Sequence, residues 1–184
     1  MRAISYMAPP RYAKRIHQLL NSAGILLTTQ AILVLQPTHT SKQKRQGTNV
    51  HAALNITSVL SLIAGLIIIE YNKFSHGGTH FVSPHAILGL ITYSCFIVQA
   101  LIGIAQYYLP NLFGSVDNAK AFYKYHRMTG YVILILAFAT VAAATTTDFN
   151  KNVLHMKLWA IIVASLITLI GVIPRIKKQK LGMS

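Results

Sequence analysis

Four histidines, His17, His51, His85 and His126, each stand at the head of a long apolar run, and each has a particular neighbour one helical turn further on. Asn21 and Asn55 follow the first two at i+4, while Gly89 and Gly130 follow the second two at the same offset. Neutral imidazole is a common ligand of transition metals and of haem iron. Two imidazoles on one haem fill both axial positions and leave no open site for oxygen, which suits the iron to one-electron transfer. Residues i and i+4 share a helix face, so a glycine there admits the edge of a flat macrocycle and an asparagine there offers hydrogen bonds. A lone histidine near a membrane surface is more often a tolerated boundary residue. Four of them with matched partners point to ligation, because polar groups are costly within a bilayer.

The elements that must carry these side chains follow from composition. The chain has 184 residues, 53% hydrophobic and 11% charged, against about 25% charged in soluble domains, which marks a membrane protein. Five runs reach the roughly 20 apolar residues that a membrane helix needs: 17–36, 51–70, 83–108, 126–146 and 154–173. Pro37, Pro110 and Pro174 close three of them, and Pro84 opens another where a first helical turn tolerates proline. The stretches 38–49 and 72–80 read as short polar loops. Because backbone polar groups must be satisfied internally in lipid, the expected fold is all-α. It has five transmembrane helices, a four-helix core holding two haems and one peripheral C-terminal helix. The expected organisation is a basic arm over 1–16, a transmembrane domain over 17–174 and a basic tail over 175–184. Cys95 is the only cysteine, which excludes an internal disulfide and the Cys-x-x-Cys-His attachment of c-type haem. Any haem is therefore held non-covalently.

Five crossings sort the histidines by face. His17 and His85 lie toward the N-terminal side, His51 and His126 toward the other, so each face receives one Asn-type and one Gly-type histidine. The spacings of 34, 34 and 41 residues between successive histidines place them at comparable depths, with the irons very roughly 15–20 Å apart across a ~30 Å core. Geometry alone allows His85 to pair with either His17 or His155. The i+4 neighbour of His155 is Trp159 rather than asparagine or glycine, which favours His17.

The net charge is +14, from 17 Lys+Arg against three acids. The side opposite the N-terminus carries ten cations, and the N-terminal side carries seven, four of them in the arm. The loop charges make the His51/His126 side cytoplasmic or matrix-facing. An anionic reductant there would meet Lys44, Arg45, Lys120, Lys124 and Arg127, although any one of these also serves as positive-inside charge, and Arg127 suits a haem propionate equally. On the other side, His80 and Lys73 are candidates for holding an acceptor. His39 and His76 read as solvated loop residues, and Tyr93 and Phe96 as core.

The segments RIHQLLNSAGILL, NVHAALNITSVLSLIAG, HFVSPHAILGLITYSCFIVQALIG and YKYHRMTGYVILILA resemble the cytochrome b561 family of transmembrane ascorbate-dependent oxidoreductases and ferric reductases. The resemblance runs from about 15 to 173. It implies two b-type haems, ligated by the pairs His17–His85 and His51–His126, with Asn21, Asn55, Gly89, Gly130 and Arg127 around them. The chain shows no helix ahead of the first histidine-bearing one, unlike the six-helix members. The segment corresponding to the ascorbate-binding motif is AILVLQP (31–37), which has no arginine.

The expected function is one-electron transfer from an ascorbate-like reductant to monodehydroascorbate or ferric iron. The competing reading is a structural or assembly subunit of a larger membrane complex. A proton- or metal-coupled transporter fits less well, because no acid lies deeper in a run than Glu70. The expected partners are membrane lipid, a small anionic reductant, and a second copy or a larger complex. No soluble domain is left to present a basic face to nucleic acid. The expected location is an endomembrane or plasma membrane, with the mitochondrial inner membrane as the alternative.

Overall fold

The computed structural model describes residues 10–176, so the first nine residues of the basic arm and most of the basic tail lie outside the described residues. Among the described residues the fold is all-helical. Its helices are α1 (Pro10–Val34), α2 (Ser41–Ser75), α3 (Pro84–Tyr108), α4 (Val116–Ala144), the short α5 (Asp148–Asn152) and α6 (Leu158–Val172), with 3-10 turns at Pro110–Phe113 and Ile173–Arg175. Three helices, α2, α3 and α4, are long and apolar enough to cross a membrane. α1 has 25 residues with cationic first turns, and α6 has 15 apolar ones.

The helices start earlier than hydropathy indicates. His17, His51 and His126 lie two or more turns inside α1, α2 and α4, and only His85 stands at a helix start. Caps explain the difference. Thr40 closes a capping box with Gln43, its hydroxyl accepting from Gln43 N at 3.2 Å while Gln43 Oε1 accepts from Thr40 N at 3.1 Å. The supposed loop 38–49 is therefore helical from Ser41. Ser115 caps α4 by accepting from Asn118 N at 3.1 Å, with Asp117 in the favoured first turn. Ser83 caps α3 ahead of Pro84 at the first position. Residues 10–16 continue α1 rather than standing apart from it.

α1 packs chiefly on α2, and α3 on α4. The α1–α2 seam is close because small residues meet there. A Cβ on Gly24 would stand 2.8 Å from the Leu62 side chain, and Ser58 Oγ donates to Gly24 O at 2.7 Å. In the second pair, the hydroxyls of Thr92 and Thr140 meet at 2.8 Å. The two pairs join through a buried cluster of Leu62, Tyr93, Phe96, Ile133 and Ala137 at mid-bundle. α5 tucks beneath the His17 end. Its Phe149 and Asn150 are buried, Asn150 Oδ1 accepts from Gln18 Nε2, and Asn150 Nδ2 donates to Ala144 O at 2.7 Å.

Candidate haem-binding site

The antiparallel packing brings the four histidines together in two pairs. His17 and His85 lie with ring centres 6.4 Å apart and planes at 79°. His51 and His126 also lie 6.4 Å apart, at 73°. A metal bonded at about 2.0–2.1 Å to a nitrogen of each of two imidazoles puts their ring centres about 6 Å apart, so both pairs have the spacing of rings sharing one metal. His155 lies elsewhere: it is exposed in the loop before α6 at φ +50°, and His17 is the ring facing His85.

Each pair sits near one end of the bundle. His17 and Ala31, the levels of the two pairs on α1, are about four turns apart, or roughly 21 Å. A cavity of about 490 Å³ surrounds the His17–His85 pair, lined among others by Asn21, Gly89, Tyr93, Thr140 and Phe149. That volume lies within the range of about 300–1,000 Å³ usual for ligand pockets. A Cβ on Gly89 would have only Thr140 Cγ2 near it, at 3.9 Å, so the glycine leaves the wall of this cavity open.

Three of the four rings are oriented by the same device. Nδ1 of His17 donates to Gly65 O at 2.9 Å, Nδ1 of His51 to Ala31 O at 2.7 Å, and Nδ1 of His85 to Thr140 O at 3.0 Å. A carbonyl only accepts, so in these three rings Nδ1 carries the proton and Nε2 keeps the lone pair that can bind a metal. Such outer hydrogen bonds fix the ring and raise its basicity. His126 differs: its Nδ1 is buried and has no hydrogen-bond partner, a condition that costs about 1–3 kcal/mol. A pair of partly buried imidazoles 6.4 Å apart fits a shared metal-bound porphyrin better than it fits a packed apolar core.

The asparagines serve the main chain first. Asn21 Nδ2 donates to His17 O at 2.7 Å and Asn55 Nδ2 to His51 O at 2.9 Å. Asn21 Oδ1 in turn accepts from the buried Tyr93 hydroxyl at 2.6 Å, so Tyr93, expected as plain core, ties α3 to the first histidine. A Cβ on Gly65 would stand 2.8 Å from Asn21 Nδ2, which makes this glycine a condition of the arrangement. In the second pair, Gln99 Nε2 donates to His126 O at 2.6 Å, and the Thr129 hydroxyl lies 2.9 Å from Gln99 Oε1. Gly130 faces this amide, its absent Cβ 3.1 Å from Gln99 Nε2.

Sequence reading missed Ala31, Gly65 and Thr140 as acceptors, missed Gly103, and marked Gln99 only as part of a family-like segment, not as a partner of His126. A signal was present. The residue fourteen positions after each histidine, Ala31, Gly65, Gln99 or Thr140, lies on the level of the other pair, because fourteen residues make about four helical turns.

The remaining candidates are surface groups. Lys44, Arg45 and Lys124 are exposed at the His51–His126 end, with Lys124 Nζ 5.0 Å above the Tyr125 ring and Lys120 bonded to Asp117 at 3.0 Å. Arg127 directly follows His126 on α4 and is half-buried. At the other end, His80 and Lys73 are already engaged with each other's partner. Both bind the Glu70 carboxylate, Lys73 Nζ at 2.8 Å, so an acceptor there would have to compete with Glu70.

The chain matches the family described as eukaryotic cytochrome b561 over residues 16–151, a span that contains all four paired histidines. No curated protein matches it closely enough to count as a relative. With most of its length covered, the chain belongs to the eukaryotic cytochrome b561 family, membrane-integral haem-b proteins of transmembrane electron transfer.

Proposed function

We propose that this chain is a transmembrane one-electron carrier in which His17 and His85 hold one b-type haem and His51 and His126 hold a second. The observation that carries the reading is the repeated pair: two cross-helix imidazole couples with the same 6.4 Å separation, one toward each end of the bundle. Haem held by these residues would supply reversible one-electron chemistry. The protein's own part is to orient and to shield. Carbonyls of Ala31, Gly65 and Thr140 set three rings, Asn21 and Asn55 fix the main chain beneath two of them, and Gly89 and Gly103 keep space free. The mid-bundle cluster of Leu62, Tyr93, Phe96, Ile133 and Ala137 excludes water between the two levels.

In this reading all of α1–α4 and α6 cross the bilayer, with the His51–His126 end facing the cytoplasm or matrix. Lys44, Arg45, Lys124 and Arg127 draw an anionic reductant such as ascorbate to that end, and monodehydroascorbate or a ferric complex is reduced at the other. Moving one charge through a membrane potential is worth about 2.3 kcal/mol per 100 mV, so the direction of transfer matters energetically. A dithionite-reduced minus oxidised absorption spectrum of the purified protein tests the proposal. A b-type α band with two resolvable components is expected, and absence of the band would overturn it.

A further inference from the structure

The four positions that stand fourteen residues beyond the paired histidines are not equivalent. Ala31, Gly65 and Thr140 are small, and each offers its main-chain carbonyl to the ring of a histidine on the antiparallel neighbour. The fourth is Gln99, on α3 opposite His126. By the same register its carbonyl would receive the His126 ring, yet Nδ1 of His126 is buried without a partner. Gln99 instead uses its side chain, donating from Nε2 to the His126 carbonyl at 2.6 Å, with the Thr129 hydroxyl 2.9 Å from its Oε1. The His126 ring rests on Gly103, where a Cβ would come within 2.9 Å of Cε1.

We propose that Gln99 is a positioning residue that makes the two haem sites unequal, by tethering His126 through its main chain while leaving its ring without an acceptor. The inference rests on the two-site reading above. An imidazole whose Nδ1–H donates to a carbonyl is more basic and stabilises the more highly charged ferric iron, lowering the reduction potential. His17 and His85 both have that bond; of the second pair only His51 does. The His51–His126 site therefore has the higher reduction potential, and the difference originates at Gln99 rather than in the ligand types, which are identical.

The test is a spectroelectrochemical titration of the full-length haem-loaded protein. Each wave is assigned by its loss in His85→Ala or His126→Ala. In the wild type the higher wave is expected to be the one that His126→Ala removes. Gln99→Thr, which copies the residue at 140, frees the ring to turn to the carbonyl of residue 99. It should shift that wave down by about tenfold in the reduction equilibrium, about 59 mV for one electron, leaving the other wave in place. Thr129→Val, a change at an exposed position that takes the hydroxyl away from the Gln99 amide and from the Tyr125 and His126 carbonyls, should shift the same wave down by less. An unmoved higher wave in both variants overturns the inference. So do equal shifts of both waves, loss of the haem in both variants, or assignment of the higher wave to His17–His85. A wild-type protein with one haem or none instead overturns the two-site reading, and this inference with it.

Discussion

A Cβ on Gly103 of α3 would stand 2.9 Å from Cε1 of His126 on α4. The ring of one paired histidine thus lies against bare backbone of the facing helix, closer than a side chain at that position permits. Gly103→Val should displace the ring and remove the haem of the His51–His126 pair while sparing the other. Haem content per chain would fall by about half, against a rule of thumb of 10–100-fold lower metal affinity for lost outer support. Full haem content in Gly103→Val would show that His126 does not need this surface.

Tyr93 and Asn21 offer a gentler perturbation at the other pair. Removing the hydroxyl in Tyr93→Phe leaves Asn21 Oδ1 without its 2.6 Å donor, and an unmet buried polar atom costs about 1–3 kcal/mol. Reversible unfolding in mixed detergent should show that loss. The absorption component assigned to His17–His85 should broaden or shift, and the His51–His126 component should stay fixed. Equal changes in both components would mean that Tyr93 is general core packing.

The ring planes at 79° and 73° make a spectroscopic prediction. Near-perpendicular axial imidazoles leave two iron d orbitals nearly equal in energy, and a low-spin ferric ion then has a strongly anisotropic magnetic moment. Low-temperature paramagnetic resonance of the oxidised protein should show large maximal g values from both sites. The ordinary rhombic pattern of parallel ligand planes would contradict the geometry.

Charge at the His51–His126 end should govern the rate of encounter with an anionic donor more than the chemistry that follows. Replacing Lys44, Arg45 and Lys124 together by glutamine should slow reduction by ascorbate about tenfold at low ionic strength, within the usual range for electrostatic steering. The difference should shrink as salt is added, because exposed charges are screened beyond about 10 Å at 0.1 M. An unchanged rate and salt dependence in the triple variant would place the donor elsewhere.

Much of this arrangement was legible in the chain, and what was hidden has physical reasons. Histidines repeating with i+4 partners indicated paired ligands because helical periodicity and alternating topology are visible in sequence. Helix starts were misplaced because hydropathy sees only the lipid-facing run, whereas Thr40–Gln43 and Ser115–Asn118 nucleate helix several turns earlier in polar sequence. The acceptors at Ala31, Gly65 and Thr140 act through main-chain carbonyls, which every residue has whatever its side chain. Only the antiparallel register reveals which ones face a ring. The contact of Gln99 with His126 was hidden for the opposite reason: its side chain acts, but on the backbone of a residue one helix away. The engagement of His80 and Lys73 by Glu70 depends on how the loop after α2 folds back, including Phe81 at φ +52°, which hydropathy does not encode.

The choice between His17 and His155 as the partner of His85 can be settled by substitution. His17→Ala should abolish one haem, and His155→Ala should leave haem content and spectrum as in the wild type, because His155 is exposed while His17 lies 6.4 Å from His85. The reverse pattern would require a rearrangement of the loop before α6.

The most direct test of the central claim is the haem-to-protein ratio of the purified chain and of two variants, counted by pyridine haemochrome against quantitative amino-acid analysis. Two haems per wild-type chain are expected, falling to one in His85→Ala and to one, with the other spectral component remaining, in His126→Ala. One haem in the wild type, or loss of the same component in both variants, would contradict the two-site account.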